Sequence, residues 1–194
     1  LHIKLETGMN RIGTSEAEEL MEIHNLFYSE KVEFEGIFSH YSNADGEDNE
    51  YDEYQTANFN SLVKLFKLKP KYIHIENSAG TIKYSDRNDI YNLSRIGIAL
   101  YGCYPSSNIE RLNKLSLEPV ASLVSKVTHV KKVPKGTKIG YGISYETQED
   151  EYIATIPIGY ADGLLRRAQG FKLNVAGEEC EIVGRVCMDQ LIVR

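Results

Sequence analysis

Strand-like and helix-like segments alternate through roughly the first 105 residues, and this alternation constrains the fold more than any other feature. The predicted strands are Leu1 to Leu5, Val32 to Phe38, Tyr72 to Ile75 and Ile90 to Leu93. Strands separated by helices are typical of parallel βα units. Four such units predict either an open sheet or half of an eight-stranded barrel.

The longest predicted helix runs from Tyr51 to Leu68, and a short one lies near Ala79 to Tyr84. One side of the longer helix carries Tyr54, Asn58, Leu62, Leu65 and Phe66. These residues recur at helical spacing, so we expect that side to pack against the sheet.

After Pro119 the pattern changes to β-rich sequence with turn signals at Pro134-Lys135-Gly136 and near Ala176-Gly177. The predicted strands here are Tyr152 to Ile158, Lys172 to Val175, Glu181 to Val186 and Leu191 to Val193. We therefore predict two domains, an α/β domain over residues 1–115 and a mostly-β domain over residues 116–194, the second incomplete.

Composition excludes several classes of protein. The 194 residues carry a net charge of -6 with scattered acidic residues, which argues against a nucleic-acid surface. No apolar run is long enough to span a bilayer. The three cysteines show no CxxC spacing, so we expect no metal site and a reduced, cytoplasmic setting. Because the chain lacks an initiator Met and both ends read as strands, we expect it to be a fragment.

Every predicted strand of the first region ends in polar or flexible residues. The four strand ends are Glu6 to Arg11, Ser39-His40-Tyr41, Glu76-Asn77-Ser78 and Ser94-Arg95-Ile96-Gly97. Chemistry in βα barrels sits at the carboxyl ends of strands, and phosphate sites follow the last two strands. Backbone N–H groups at Asn77-Ser78 and Gly97-Ile98 could bind a phosphate, which favours the second half of a (β/α)8 barrel.

Two tyrosines of the second region, Tyr141 and Tyr160, are framed by glycine and small residues. Glycine permits tight turns and close approach of a ligand. A phenol held on such a turn can be a proton donor, a base or a phosphate ligand. The pair therefore indicates a functional site rather than a core.

Seven segments, in order across the chain, resemble the alanine racemase family of pyridoxal-phosphate enzymes. They are residues 2–13 (HIKLETGMNRIG), 36–45 (GIFSHYSNAD), 74–79 (HIENSA), 95–102 (RIGIALYG), 140–145 (GYGISY), 156–163 (IPIGYADG) and 184–190 (GRVCMDQ). The resemblance implies an amino-terminal barrel that binds pyridoxal 5'-phosphate, joined to a β domain. It also implies a head-to-tail homodimer whose active sites are completed by the partner's β domain.

The resemblance assigns a base and its supports. Tyr141 would act on the L-face of the substrate α-carbon at the partner subunit's cofactor. His40 would contact this tyrosine, and Arg95 would stand behind His40 and hydrogen-bond the pyridine nitrogen. An ordinary tyrosine has a pKa of about 10, so a tyrosine base needs such help near neutrality.

The remaining implied roles concern binding. Cofactor phosphate ligands would be Ser78, Gly97, Ile98 and Tyr160. The substrate carboxylate would meet Arg11 and the backbone of Met188, with Asp189 alongside. Lys4 matches a lysine that is carbamylated in some members and orients Arg11. Polar residues of the substrate entryway would be Asp45, Arg166 and Arg185.

The chain departs from the family at two residues and in two absences, one of which is the tyrosine near the family's carboxyl terminus that closes the pocket. Asn10 stands where glycine is most frequent, and Glu6 where aspartate is usual. The lysine that forms the Schiff base, in a Val-Lys-Ala-Asn-type motif, has no counterpart here. Three hypotheses follow: an alanine racemase that supplies D-alanine for peptidoglycan, a serine or broad-specificity amino-acid racemase, and a non-catalytic fragment.

Overall fold

The computed structural model describes residues 1–29, 32–67, 69–87 and 89–194, and the chain divides into two compact units, Leu1–Ala121 and Ser122–Arg194. The change of pattern in the sequence lies a few residues before this division. None of the helices in those ranges is long and apolar enough to cross a membrane.

The first unit is built on a three-stranded parallel sheet. Its strands are β1 (His2–Lys4), β2 (Gly36–Phe38) and β3 (Tyr72–His74), in the order β1-β2-β3. The register aligns Lys4 with Phe38 and Phe38 with His74, so the three strands end at one level. The residues that follow these strands therefore gather at one edge of the sheet, as parallel βα units require.

Helices connect the strands of this unit. They are α1 (Ala17–Ser29), α2 (Glu50–Val63), α3 (Ser78–Lys83) and α4 (Ser107–Arg111), with a 3₁₀ turn over Ile98–Tyr101. Their apolar faces pack on the sheet around Leu5, Leu20, Ile37, Phe59 and Ile75, each fully buried. The predicted parallel βα arrangement is thus confirmed for the first three strands.

The predicted side of α2 is partly right. Leu62 packs against the core and Phe66 is buried, but the helix ends at Val63 and Tyr54 is 54% exposed. The last predicted residue of the helix, Leu68, lies outside the described residues. The buried residues within the helix are Asp52, Gln55 and Phe59, and hydrophobic spacing missed the first two because they are polar side chains with buried partners.

The fourth predicted strand, Ile90 to Leu93, is also wrong. This segment lies beside β3, but the Asn92 side chain takes over part of the hydrogen bonding: its Oδ1 accepts from Ile73 N–H at 2.9 Å and its Nδ2 donates to Lys71 O at 2.7 Å. Asn92 N–H donates to Ile73 O at 3.0 Å. A side chain that occupies ladder positions prevents a regular strand from forming.

The second unit is mostly antiparallel β structure. Its strands are β4 (His129–Val133), β5 (Lys138–Ile139), β6 (Tyr145–Glu146), β7 (Glu151–Ile156), β8 (Lys172–Val175), β9 (Glu178–Glu181) and β10 (Leu191–Val193). They form a sheet of order β10-β7-β4 and the hairpins β5-β6 and β8-β9. An α/β unit followed by a mostly-β unit agrees with the predicted class.

The predicted strand Glu181 to Val186 is wrong, while the turn at Ala176-Gly177 is confirmed. Both turn residues have positive φ, 54° and 98°, which suits a two-residue hairpin. The turn starts β9 at Glu178, and Ile182 already forms an isolated bridge to Val193. Gly184, with φ 72°, then takes the chain out of extended conformation.

Candidate active site

Arg95 lies at the centre of a polar cluster above the ends of the parallel strands. Its Nη2 donates to Ser39 O at 2.7 Å and to His40 Nδ1 at 2.9 Å, and its Nη1 donates to His74 Nδ1. His74 Nε2 in turn lies 2.9 Å from His2 Nδ1. The guanidinium thus joins the ends of β2 and β3 through two histidines.

Both histidines that face Arg95 are neutral near pH 7. Burial, then the positive charges of Arg95, Arg11 and Lys4, lower the pKa of His40 from 6.5 to about 4. Burial and then Arg95 and His2 lower the pKa of His74 to about 4 as well. A cationic imidazole beside this guanidinium would add a like charge in a half-buried site.

The arginine also decides the tautomer of each ring. Arginine has only donors, so both Nδ1 atoms must accept and the ring hydrogens lie on Nε2. His74 then donates to His2, and His40 keeps an N–H that can donate to an oxygen. Asn77 Nδ2 lies 3.4 Å from His40 Nε2. The Asn77 amide oxygen accepts from Gly80 N–H, so the Asn77 Nδ2 donor faces the His40 Nε2–H donor. The approach of these two nitrogens is therefore a packing contact and not a hydrogen bond.

Lys4 points its ammonium into the same region. Its Nζ donates to Leu5 O at 2.6 Å and to Ser39 Oγ at 3.3 Å. Burial lowers its pKa, and Arg95 and Arg11 lower it further against the opposing effect of Glu6. Lys4 therefore loses its proton more readily than an exposed lysine does.

The loop that carries Arg11 is shaped by Glu6. Its carboxylate accepts from the backbone N–H of Gly8 and, at 2.9 Å, of Asn10. Burial alone would raise the pKa of Glu6, but these backbone hydrogen bonds and the charge of Lys4 leave it lowered. Asn10 has φ 56°, a left-handed conformation that asparagine tolerates, which explains why it can stand where glycine is most frequent.

Gln55, which sequence reasoning missed, ties the strand ends together from α2. It is fully buried, its Nε2 donates to His40 O at 2.9 Å, and its Oε1 accepts from Ser42 N–H and Oγ–H, both at 2.9 Å. Nε2 also approaches Thr7 Oγ1 at 3.5 Å, and Thr7 Oγ1 lies 2.6 Å from Ser39 Oγ. The only signal in the sequence was a polar residue four positions before Phe59.

Ser78 begins α3 and faces the 3₁₀ turn that follows Arg95. Its Oγ accepts from Gly97 N–H at 2.8 Å and from Ala99 N–H at 3.3 Å. These bonds use both acceptor positions of the hydroxyl, so its O–H remains free to donate to an anion. Among the described residues, a Cβ built on Gly97 would meet only this Oγ within 4 Å, at 3.8 Å, so glycine leaves the space beside Ser78 open.

Tyr141 stands on a tight turn of the second unit. The flanking residues Gly140 and Gly142 have φ 69° and 71°, as the glycine pattern predicted, and the side chain of Tyr141 is 65% exposed. A Cβ on Gly142 would lie 3.0 Å from the Arg185 guanidinium, so Arg185 packs against this turn.

Tyr160 and Met188 are neighbours in the same unit. Tyr160 N–H donates to Cys187 O at 3.0 Å, and Ala161 N–H donates to Met188 O at 2.8 Å. The Met188 N–H donates to no residue that the structure describes. Gly159 allows this docking, since a Cβ there would lie 2.3 Å from Met188 O.

The contacts sort the predicted site residues into groups. In the first unit, Lys4, His40 and Arg95 lie together, Ser78 lies with Gly97 and Ile98, and Asp45 is on a separate exposed loop. In the second unit Tyr160 lies with Met188, and Tyr141 with Arg185. Arg166 is exposed, and no contact within the described ranges joins it to another of these residues.

Comparison with known proteins gives matches to both units. The family model "Alanine racemase, N-terminal domain" matches residues 1–105, and "Alanine racemase, C-terminal domain" matches residues 120–194. An alanine racemase from Ligilactobacillus salivarius (strain UCC118) is 47% identical over 198 residues, covering 100% of this chain and 52% of that protein. One from Lactococcus lactis subsp. lactis (strain IL1403) is 43% identical over 194 residues, covering 100% of this chain and 52% of that protein.

Solved structures agree as well. The alanine racemase from E. faecalis superposes with a TM-score of 0.87 at 43% identity, covering 100% of this chain and 52% of that one. The enzyme from Bacillus anthracis with bound L-Ala-P gives a TM-score of 0.84 at 42% identity, covering 99% and 50%.

The fold and the site define a class of protein in which an α/β unit with polar strand ends precedes a β-rich unit that carries glycine-framed tyrosines. Within that class, the chain belongs to the alanine racemase family. The chain spans about half the length of the curated relatives it matches.

Proposed function

We propose that this chain forms part of a pyridoxal-phosphate-dependent alanine racemase that interconverts L- and D-alanine by a two-base mechanism. The observation that carries the proposal is the Arg95 cluster, in which the arginine holds His40 neutral with an N–H directed away from it. In the cell, the product D-alanine would serve peptidoglycan synthesis in the cytoplasm.

The residues present fit the cofactor. Ser78 has a spare O–H, Ile98 N–H donates to none of the described residues, and the space beside Gly97 is open, which together suit a phosphate. Tyr160 of the β unit would be the remaining phosphate ligand. Arg95 Nε–H, which has no hydrogen bond to the described part of the chain, would face the pyridine nitrogen as a donor.

When bound, pyridoxal phosphate withdraws electrons from the substrate α-carbon. Arg95 cannot readily give up its proton, so a ring nitrogen beside it stays unprotonated and the electron sink is weakened. That arrangement limits side reactions such as transamination. Arg11 and the Met188 N–H would hold the substrate carboxylate, and Lys4, carbamylated or not, would orient Arg11.

The phenol of Tyr141 would take or return the α-proton on the L-face. His40 Nε2–H would donate to the phenolate oxygen and so stabilise the ionised base. We propose that this pairing occurs across a homodimer, with the Tyr141 of one subunit serving the cofactor of the other. Asp45, Arg166 and Arg185 would line the entryway through which the amino acid reaches the site.

We further propose that the α/β unit is the second half of a (β/α)8 barrel. The parallel sheet, with phosphate ligands after its last strand and the following segment, supports this proposal. The Schiff-base lysine has no counterpart in these 194 residues. Racemisation therefore requires a polypeptide that also supplies that lysine.

The test is racemisation by the full-length protein with pyridoxal phosphate. L-Alanine should yield D-alanine, and Tyr141→Phe should reduce kcat by about 10²-fold or more, because it removes a proton-transferring group. Tyr152→Phe is the matched control, since Tyr152 is 66% exposed against 65% for Tyr141. Absence of alanine racemisation by the unmodified protein would exclude the proposal, and activity on serine or other amino acids instead would favour the alternative racemase.

The missing lysine favours a second candidate for the 194 residues alone, a non-catalytic fragment. It predicts that the isolated chain binds pyridoxal phosphate reversibly or not at all, and shows no racemisation. Borohydride reduction of the isolated chain followed by mass spectrometry tests this candidate, because a cofactor bound through a lysine would be trapped covalently and would exclude it.

A further inference from the structure

Lys83, at the end of α3, is a nearly buried lysine whose three hydrogen-bond donors are all used. Its side chain is 9% exposed, and its Nζ donates to Gly46 O at 3.1 Å, Asp48 O at 3.0 Å and Asp52 Oδ2 at 3.3 Å. An ammonium has three N–H groups, and each ends on one oxygen. Two of those oxygens belong to the backbone of residues 43–48, which we call the Asp45 loop.

Asp52 supplies the charge that makes a buried lysine tolerable. Its side chain is 1% exposed, and an isolated buried charge is costly unless it is paired. The Tyr84 hydroxyl donates to the same Oδ2. Burial, then this hydrogen bond and the negative charge of Asp52, raise the pKa of Tyr84, so the phenol stays protonated and remains a donor.

The Asp45 loop is fixed from its other side by α4. Asp45 O accepts from Ser106 Oγ at 2.7 Å and from Asn108 Nδ2 at 3.3 Å. Within the loop, Gly46 N–H donates to Asn43 O at 2.9 Å, and Ala44 is buried in the core. Side chains of α3 and of the start of α4 thus hold this exposed acidic loop by donating hydrogen bonds to its backbone carbonyls.

We infer that Lys83 is a positioning residue that holds the Asp45 loop in place and so sets the shape of the substrate entryway. The inference rests on the proposed function, which places Asp45 in that entryway. The same short helix begins with Ser78, so a single element carries both a phosphate ligand and the lysine that holds the loop. Lys83 touches no substrate or cofactor; it acts through the backbone of the loop.

The first test measures the loop itself in the full chain by amide hydrogen exchange. In Lys83→Met we expect the Gly46 amide to exchange about tenfold faster, because Gly46 O and Asp48 O of the loop both lose their hydrogen-bond donor. Lys71→Met is the matched control, because Lys71 is an exposed lysine of the same unit with a 3.9 Å ion pair to Glu35. In the Lys71→Met variant, the Gly46 amide should exchange at the same rate as in the unmodified chain.

Lys83→Met leaves Asp52 buried without its charge partner, and this variant could fail to fold. The double variant Lys83→Met with Asp52→Asn removes both charges and keeps the side-chain volumes. We expect it to recover thermal stability, while Gly46 still exchanges about tenfold faster because two carbonyls of the loop lack their donor. Exchange at the unmodified rate in a folded double variant would overturn the inference.

The second test separates positioning from catalysis in the full-length protein. Lys83→Met, or the double variant, should raise KM for alanine about tenfold and leave kcat within about twofold, because access changes while the reacting groups do not. A loss confined to kcat would contradict the inference. If the unmodified protein racemises nothing, the proposed function fails, and the exchange experiment still decides whether Lys83 holds the loop.

Discussion

At the scale of single residues, the chemistry of this chain depends on how Arg95 controls its neighbours. The sequence suggested Arg95 and His40 as partners and assigned no role to His74. The structure places His74 on the same guanidinium and His2 behind it. Two neutral imidazoles around one permanent cation are a consequence of burial and like-charge repulsion, which act between residues far apart in the chain.

This arrangement predicts a pH dependence of stability. Because the pKa of His40 is about 4 in the folded state and 6.5 in the reference state, the unfolded chain binds more protons between those values. The contribution of His40 is therefore present above pH 6.5 and is lost as pH falls towards 4. In His40→Asn the free energy of unfolding should fall less steeply as the pH drops through that window. The difference in slope should be at most about 1.4 kcal/mol per pH unit.

Urea denaturation at several pH values between 4 and 7 measures this slope. His129→Asn is the control, since His129 is exposed on β4 of the other unit. An identical slope in His40→Asn and the unmodified chain would show that His40 titrates alike in both states.

At the scale of elements, the chain uses glycine where two backbones meet. Gly159 lets the Tyr160 turn dock on Cys187 and Met188, and its own φ of -146° is ordinary extended backbone. Glycine is needed at this position because a Cβ has no room, and not because of the backbone conformation. This reason was invisible in the Gly-Tyr-Ala-Asp-Gly pattern, because the contacting residues come from a segment more than twenty positions later.

Gly159→Ala should therefore destabilise the second unit. The new Cβ would lie 2.3 Å from Met188 O and 2.4 Å from Cys187 O, both backbone atoms that cannot rotate away. We expect a cost of about 1–3 kcal/mol in the free energy of unfolding, measured by urea denaturation. Gly97→Ala is the comparison, since within the described part of the chain its Cβ would meet only Ser78 Oγ at 3.8 Å, and it should change stability by less than about 0.5 kcal/mol. Equal effects of the two substitutions would refute the explanation by space.

At the scale of the whole molecule, the two units have separate hydrophobic cores. The first is built around residues such as Ile37 and Phe59, and the second around residues such as Ile182 and Leu191. The sequence anticipated this division from a change in periodicity near residue 116. The structure divides the chain after Ala121, just past Val120, whose N–H donates to Tyr101 O at 3.3 Å.

Separate cores predict separable responses to core truncation. Ile37→Ala should cost about 2–5 kcal/mol and raise amide exchange mainly within residues 1–121. Leu191→Ala should do the same within residues 122–194. Ile12→Ala, at a side chain that is 58% exposed, should change neither. Hydrogen exchange with mass spectrometry measures all three, and equal increases in both units from either core variant would contradict the prediction.

The sequence by itself determined the family, the order of parallel βα units followed by β structure, and the positions of the polar strand ends. These follow from local periodicity and from motifs whose residues are neighbours in the chain. Only the tertiary structure decided the neutral state of His40 and the roles of Gln55 and Lys83. It also showed that the Asn92 side chain takes the hydrogen bonds that a strand over Ile90 to Leu93 would have made. The physical reason is that burial, charge pairing and the hydrogen-bond partners of buried polar groups are set by residues that only folding brings together.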